Sequence, residues 1–465
     1  MTLALRLAEF AVQPPAIPPL ALERAKMSLA STIASAAAGY DIASAGIVRR
    51  LELDSGGRPD AAVWFSEARL PLGAAARVNA VASDAAASDD SDLRSIAHIG
   101  TIVSTVGIAL GETRGSAGED ILAAMVLGYE IAGRIDEALT PGRMQRGFHG
   151  SVSTVFGGVV AAGRLLGLDV PQMAHAIVLA ATSIGGMAIA ADTSCSREYH
   201  AGASASAGIA AALAAKAGFE GELGVLEKPR GFLSAMNGQE IEAITSDLGA
   251  SWDIVTDMAI KLMPGAHPFH ATAEAASDAA RLGGVRPEDV ESVFVTAGVL
   301  WTKFRGEPHP RNLVDAAHSL FYFVAASIAD GRFGWEHMGA AKMADPVIAT
   351  LQDRITLDPN PEPLPDRFPH RHGGTVVIRT MAGEEFRATC KAPRGSGPRG
   401  VEWSDVEDKY RMLVPRSGLP ADRIEESLAL IRDFGGAGAA CALTRLLAVS
   451  NRQRPAPGGD GPRIT

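Results

Sequence analysis

The stretch Ile121-Leu-Ala-Ala-Met-Val-Leu-Gly-Tyr-Glu-Ile-Ala-Gly-Arg-Ile135 is apolar or small on nearly every side of a 3.6-residue turn. A helix of that kind has no face to offer to water, so it predicts a bundle with other helices packed around it. Phe156–Leu166, Pro171–Ile184 and Ala203–Ala217 repeat the apolar spacing, with Gly or Asp punctuating their ends. From Leu20 to about Met263 the chain therefore reads as one helix after another. The 50 glycines, the Ala-rich runs and an aromatic content of 5% suit helices whose backbones approach closely. Gly56, Gly57 and Pro59 mark a break, and Ala61–Phe65 after them reads as a short strand or an edge loop.

The character changes after Pro264. Val290–Ala297 alternates like a strand, and Thr375–Thr380 and Glu385–Cys390 form a hairpin signal across a turn containing Gly383. Between them lie a helix around Leu313–Ile328 and the Pro-rich connection Pro359–Pro369. Helix returns over Asp405–Leu413 and Ile424–Leu447, and the Pro-, Gly- and Arg-rich Asn451–Thr465 reads as disordered. The expected fold is mainly α: an all-helical domain over residues 1–264 and 400–465, closed by the C-terminal segment, and a smaller α+β lid over 265–399.

At 465 residues two domains are the natural division. The net charge of −10 argues against a nucleic-acid surface but leaves room for a local cationic pocket. Cys195, Cys390 and Cys441 are far apart and show no metal-cluster spacing, which points to a reducing, cytoplasmic setting. The N-terminal apolar run is short and carries Arg6 and Glu9, unlike a secretory signal. Ala201–Ala215 is too short to span a bilayer, so no membrane association is expected.

The eleven histidines matter by their settings. His98 follows the acidic run that includes Asp89 and Asp90; His149 ends Arg146-Gly-Phe-His149; His200 follows Arg197-Glu-Tyr199 and opens the Ala/Gly/Ser helix; His267 and His270 follow Lys261-Leu-Met-Pro264. One histidine at a helix border is ordinarily a cap or a core residue, but four such junctions beside glycines and cations weigh toward a cleft. Histidine suits proton transfer near neutral pH, and Arg197 or Lys261 suits holding a carboxylate. His267-Pro-Phe-His270 read as a metal pair lacks an obvious third ligand. The residues alone stop at a polar, His-rich cleft in a helical enzyme.

Taken together these segments resemble the MmgE/PrpD family over nearly the whole chain. Asn79 with the acidic stretch and His98-Ile-Gly100 looks like the family's Asn…Asp-x-Asp-Asp…His-Pro-Gly region. Gly128-Tyr-Glu-Ile-Ala-Gly-Arg134, Gly147-Phe-His149 and Ala161-Ala-Gly-Arg-Leu-Leu-Gly-Leu-Asp169 look like its next blocks. His200-Ala-Gly-Ala-Ser-Ala-Ser-Ala-Gly208, Lys261 through His270 and Asp315-Ala-Ala-His-Ser-Leu-Phe-Tyr322 follow in order. The resemblance implies an all-helical domain with an α+β lid, an active site between them, a homodimer, and chemistry without metal or organic cofactor on a small carboxylate. By motif, His98, His149 and His270 with Asp89 and Asp90 become catalytic candidates. Arg197, Tyr199, His200, Lys261 and His267 become substrate-binding candidates.

The implied reaction is a lyase step, dehydration or decarboxylation, begun by removing a proton α to a carboxylate. An epimerase returning that proton to the other face, and a carboxylate-binding protein without turnover, are the alternatives. Arg197 stands where the family has Lys, the first Asp of the acidic pattern is missing, and Ile99 replaces Pro. Those departures point away from 2-methylcitrate and cis-aconitate and toward another polycarboxylate.

Overall fold

A computed structural model describes residues 1–450 apart from 95, 184, 239–240, 303, 363–371 and 397–398. The expected connection Pro359–Pro369 lies partly outside the described residues, and the tail Asn451–Thr465 wholly so. The chain divides into two compact units, one of Met1–Ile260 continued from Glu402, the other of Lys261–Val401. The fold is mainly α, with a smaller α+β unit.

In the first unit, α1 (Pro19–Gly39), α2 (Leu72–Ala85), α3 (Ile99–Arg114), α4 (Gly118–Leu139), α5 (Ser151–Leu166) and α6 (Ser196–Lys216) form the bundle. α6 packs on α2 and α5, α5 on α4 and α3, and α1 on α2. α4 contains the all-round apolar stretch, and Ile121, Met125, Tyr129 and Ile131 are each fully buried. Small residues let these backbones meet: a Cβ on Gly128 of α4 would stand 2.5 Å from the carbonyl oxygen of Gly157 on α5. Leucine-sized side chains there would push the two helices apart.

α6 starts at Ser196, earlier than the apolar pattern suggests, because polar Ser196-Arg197-Glu198 fills its first turn. His200 therefore lies inside the helix rather than opening it. Ala61–Ala62 is a two-residue strand paired antiparallel with Arg69–Leu70.

The second unit places α7 (His270–Gly283) across a four-stranded sheet and against α8 (Leu320–Asp330). With β1 (Val290–Ala297), β2 (Ile355–Leu357), β3 (Gly374–Thr380) and β4 (Glu385–Cys390), the spatial order is β2-β1-β3-β4. β2 runs parallel to β1, and the other pairs are antiparallel, β3–β4 being the expected hairpin. The single helix expected over Leu313–Ile328 is two, Leu313–Ala317 and α8. Ser319 breaks it by taking an extended conformation and accepting from the Tyr322 N–H as an N-cap.

The chain returns to the first unit with α9 (Trp403–Leu413), α10 (Ala421–Arg432) and α11 (Ala439–Leu447). The single helix expected over Ile424–Leu447 is divided because Gly435, Gly436 and Gly438 favour a turn over a helix interior. α9 lies along α1.

Candidate active site

After α2 the chain turns through Ala87, whose φ of 50° is unusual for a residue with a side chain. It enters Ser88-Asp89-Asp90-Ser91-Asp92, where every residue is buried. Ser91 and Asp92 pair antiparallel with Ala259 and Met258, so a short ladder fixes the far end of this acidic loop. His98 then stands as the residue that begins α3. Gly100 in the first turn of α3 is required for closeness: a Cβ there would fall 2.1 Å from Asp90 Oδ2.

His98 Nδ1 is 2.7 Å from Asp89 Oδ2 and 3.5 Å from Asp84 Oδ1. Thr101 Oγ1, one turn along α3, donates to the same Asp89 oxygen at 3.0 Å. A carboxylate in that position draws the imidazole proton to Nδ1 and leaves a lone pair on Nε2. Arg197, in the first turn of α6, donates through Nε to the Asp84 carboxylate at 3.1 Å and through Nη2 to the Asp84 carbonyl oxygen at 2.6 Å. That pairing holds the guanidinium firmly charged.

His149 precedes α5, its ring centroid 6.0 Å from that of His98. The Ser151 N–H donates to His149 Nδ1 at 3.3 Å, so a neutral ring carries its proton on Nε2. Burial first, then the nearby His98, Arg143 and Arg197, hold His149 well below the usual histidine range. Arg143 is itself anchored by Asp136 at 3.0 Å and 3.2 Å and donates to the carbonyl oxygen of Phe148, which steadies the residue before His149. Asp84, His98, His149, Ser151, Thr154 and Arg197 line one small cavity. Its pairing is of an imidazole with an accepting Nε2, an imidazole with a donating Nε2, and a neutralised Arg–Asp pair.

Within the first unit, Asp90, Tyr199 and His200 are not among the residues lining that cavity. Asp90 is held behind the loop by Ser28 Oγ, which donates to it at 2.5 Å, and burial raises its pKa to about 6. Tyr199 is 52% exposed and lies over the Arg77 guanidinium, away from the cavity lining. A helix turns about 100° per residue, so two positions past buried Arg197 the side chain points outward. His200, half-buried one turn beyond Arg197, has a lowered pKa from burial.

Lys261, His267 and His270 belong to the second unit, where all three are buried. The His267 and His270 rings stack with centroids 4.5 Å apart, and burial with the Lys261 charge keeps His270 neutral. Lone pairs lie in the ring planes, so two stacked rings do not converge on one ion, and the metal-pair reading fails on geometry. Asp84, Asp89 and His98 offer three ligand atoms within 4.8 Å of one another. Arg197 already compensates Asp84, which makes that set a poor host for a second cation.

Sequence reading missed Asp84, Thr101, Ser151 and Thr154. Asp84 sits in Val78-Asn-Ala-Val-Ala-Ser-Asp84-Ala-Ala, where one acid near a helix end looks like a solvated position.

Two family models match the chain, the MmgE/PrpD N-terminal domain over residues 5–243 and the MmgE/PrpD C-terminal domain over residues 263–432. The chain belongs to the MmgE/PrpD family. As an MmgE/PrpD protein it is similar to cis-aconitate decarboxylase of Homo sapiens, 25% identical over 395 residues that cover 83% of this chain and 81% of the relative. The Mus musculus cis-aconitate decarboxylase is 25% identical over 404 residues, covering 84% of this chain and 80% of that protein. The Aspergillus terreus cis-aconitate decarboxylase is 27% identical over 280 residues, 55% of this chain and 57% of its own length. The C-terminal MmgE/PrpD match runs past Val401, so it takes in α9 and α10 of the first unit as well as the second unit.

Proposed function

We propose that this MmgE/PrpD protein is a lyase that expels water or carbon dioxide from a small di- or tricarboxylate, with His98 as the proton-transfer base. The observation that carries the reading is the His98–Asp89 pair at 2.7 Å, whose imidazole lines a cavity shared with His149 and Arg197. Similarity to cis-aconitate decarboxylases supports the lyase class and the polycarboxylate substrate.

In this reading Asp89 holds the His98 proton on Nδ1 and stabilises the imidazolium that forms when Nε2 takes the α-proton. For dehydration, the freed electron pair forms the double bond as the β C–O bond breaks, and the hydroxyl leaves as water with the proton handed on by the His98 imidazolium, which returns to its neutral form. For decarboxylation, the pair of the broken C–CO2 bond remains on carbon and is quenched by a proton that His98 delivers from solvent. Neutral His149 donates a hydrogen bond from Nε2 to the enolate-like oxygen, stabilising charge that exists only in the transition state. His270, held neutral beside Lys261, is proposed as a further proton-handling candidate, tested by its own variant.

Proton exchange in deuterated buffer, followed by NMR over aconitates, methylcitrates, citrate and substituted succinates, tests the proposal. Consumption that depends on His98 supports a lyase; exchange without net consumption makes the protein an epimerase; saturable binding with neither makes it a carboxylate-binding protein.

A further inference from the structure

The acidic loop is held from a direction that the reaction does not explain. Lys409 lies on α9, in the segment that follows the second unit, and is only 2% exposed. Its ammonium donates to Ser31 Oγ of α1 at 2.9 Å and to the carbonyl oxygen of Ser88. Ser88 is the residue immediately before Asp89. Three positions earlier on α1, Ser28 Oγ donates to Asp90, the residue immediately after it. Ser28 and Ser31 share one face of α1, so α1 and α9 together grip the backbone on one side of Asp89 and the side chain on the other.

Burying an ammonium is costly, and the surrounding Trp403-Ser-Asp-Val-Glu-Asp-Lys-Tyr-Arg-Met-Leu413 offers exposed positions that would carry a lysine at no such cost. A methionine of similar length would fill the space with no charge to desolvate. What the ammonium adds is a directed hydrogen bond to the Ser88 carbonyl and a positive charge near Asp90, where it opposes the effect of burial.

We infer that Lys409 is a positioning residue: by fixing the Ser88 carbonyl it sets the aim of the Asp89 carboxylate at His98 Nδ1. The inference builds on the reading of His98 as the base, yet its test does not need turnover. A geometry that must be held to a fraction of an ångström is sensitive to such an anchor, since a displacement of about 1 Å can cost on the order of a hundredfold in rate.

The test uses the full chain with 15N-labelled histidine, comparing Lys409→Met, Lys409→Arg and Ser31→Ala with wild type. The proton shared between His98 Nδ1 and Asp89 is read as a downfield ring N–H resonance, assigned by its loss in His98→Asn. Lys409→Met is expected to shift or broaden that resonance and to lower kcat by about 10- to 100-fold with KM little changed. Lys409→Arg, which keeps the charge, should recover part of both. Should Lys409→Met fail to fold, Ser31→Ala loosens the lysine without stranding a charge, and a smaller shift of the same resonance is expected. A variant that melts at lower temperature while the His98 resonance stays unmoved overturns the inference and leaves Lys409 a purely structural residue. If no acid is turned over by wild type, the lyase reading falls while the resonance still decides this one.

Discussion

Asp89→Asn is the substitution whose outcome the geometry constrains most tightly. Asp89 Oδ2 accepts two bonds, from His98 Nδ1 at 2.7 Å and from Thr101 Oγ1 at 3.0 Å. In the asparagine variant the amide oxygen is expected in that position, because there it keeps both the His98 Nδ1 and the Thr101 Oγ1 bonds as they stand. The His98 tautomer is then kept and only the carboxylate charge is lost. A hydrogen bond to a charged group contributes about 1.5–3 kcal/mol and a neutral one about 0.5–1.5, so the difference is about 1–1.5 kcal/mol. At 1.36 kcal/mol per decade the expected loss in kcat is about tenfold. Removing the second donor as well, in Asp89→Asn with Thr101→Val, frees the amide to turn. With the amide turned, its NH2 donates to His98 Nδ1, the imidazole carries its proton on Nε2 where it cannot act as a base, and the loss should grow to about 10³-fold or more. The assay is steady-state turnover of the acid found in the exchange panel, with 15N shifts of His98 reporting the tautomer. A loss near 10⁴-fold in Asp89→Asn alone, or no loss in the double variant, would refute the reasoning.

Other outcomes follow from the same network. Arg197→Ala strands the buried Asp84 carboxylate, and unfolding should show a loss on the order of 3–5 kcal/mol. Adding Asp84→Asn should restore much of it, which a double-mutant cycle in urea measures. Asp92 is buried and its pKa rises to about 7 from 3.8, chiefly through burial and then Asp257. The folded state therefore binds this proton more tightly than the unfolded one, so its stabilising contribution is full below about pH 3.8 and is lost as pH rises through about 7. Melting curves of Asp92→Asn against wild type should show the variant gaining relative stability between pH 5 and pH 8, and a difference independent of pH would contradict the burial argument.

The helical architecture was legible because Ala, Gly and β-branched residues recur all round the helices of the first unit, a pattern that fits little besides a buried bundle. The strands of the second unit alternate with period two, and their hairpin lies where the Gly383 turn signal places it. Boundaries were less legible where a local polar group competes with the helix, as Ser319 does by capping α8. Asp89, His98 and His149 stood out as polar residues at helix borders. Asp84 and Lys409 did not, because a lone charge on a helix is ordinarily solvated and only tertiary packing turns these two inward. Tyr199 shows the converse: Arg197, two positions before it, is buried, but two helical steps of about 100° each carry the tyrosine to the surface.

Whether His98 moves a proton on a small polycarboxylate is read by deuterium-exchange NMR with wild type, His98→Asn, His149→Asn and His270→Asn over the panel of aconitates, methylcitrates, citrate and substituted succinates. One acid should be consumed with release of water or carbon dioxide, and the rate should fall by about 10²- to 10⁴-fold in His98→Asn. Turnover that survives intact in His98→Asn would contradict it and move the base elsewhere.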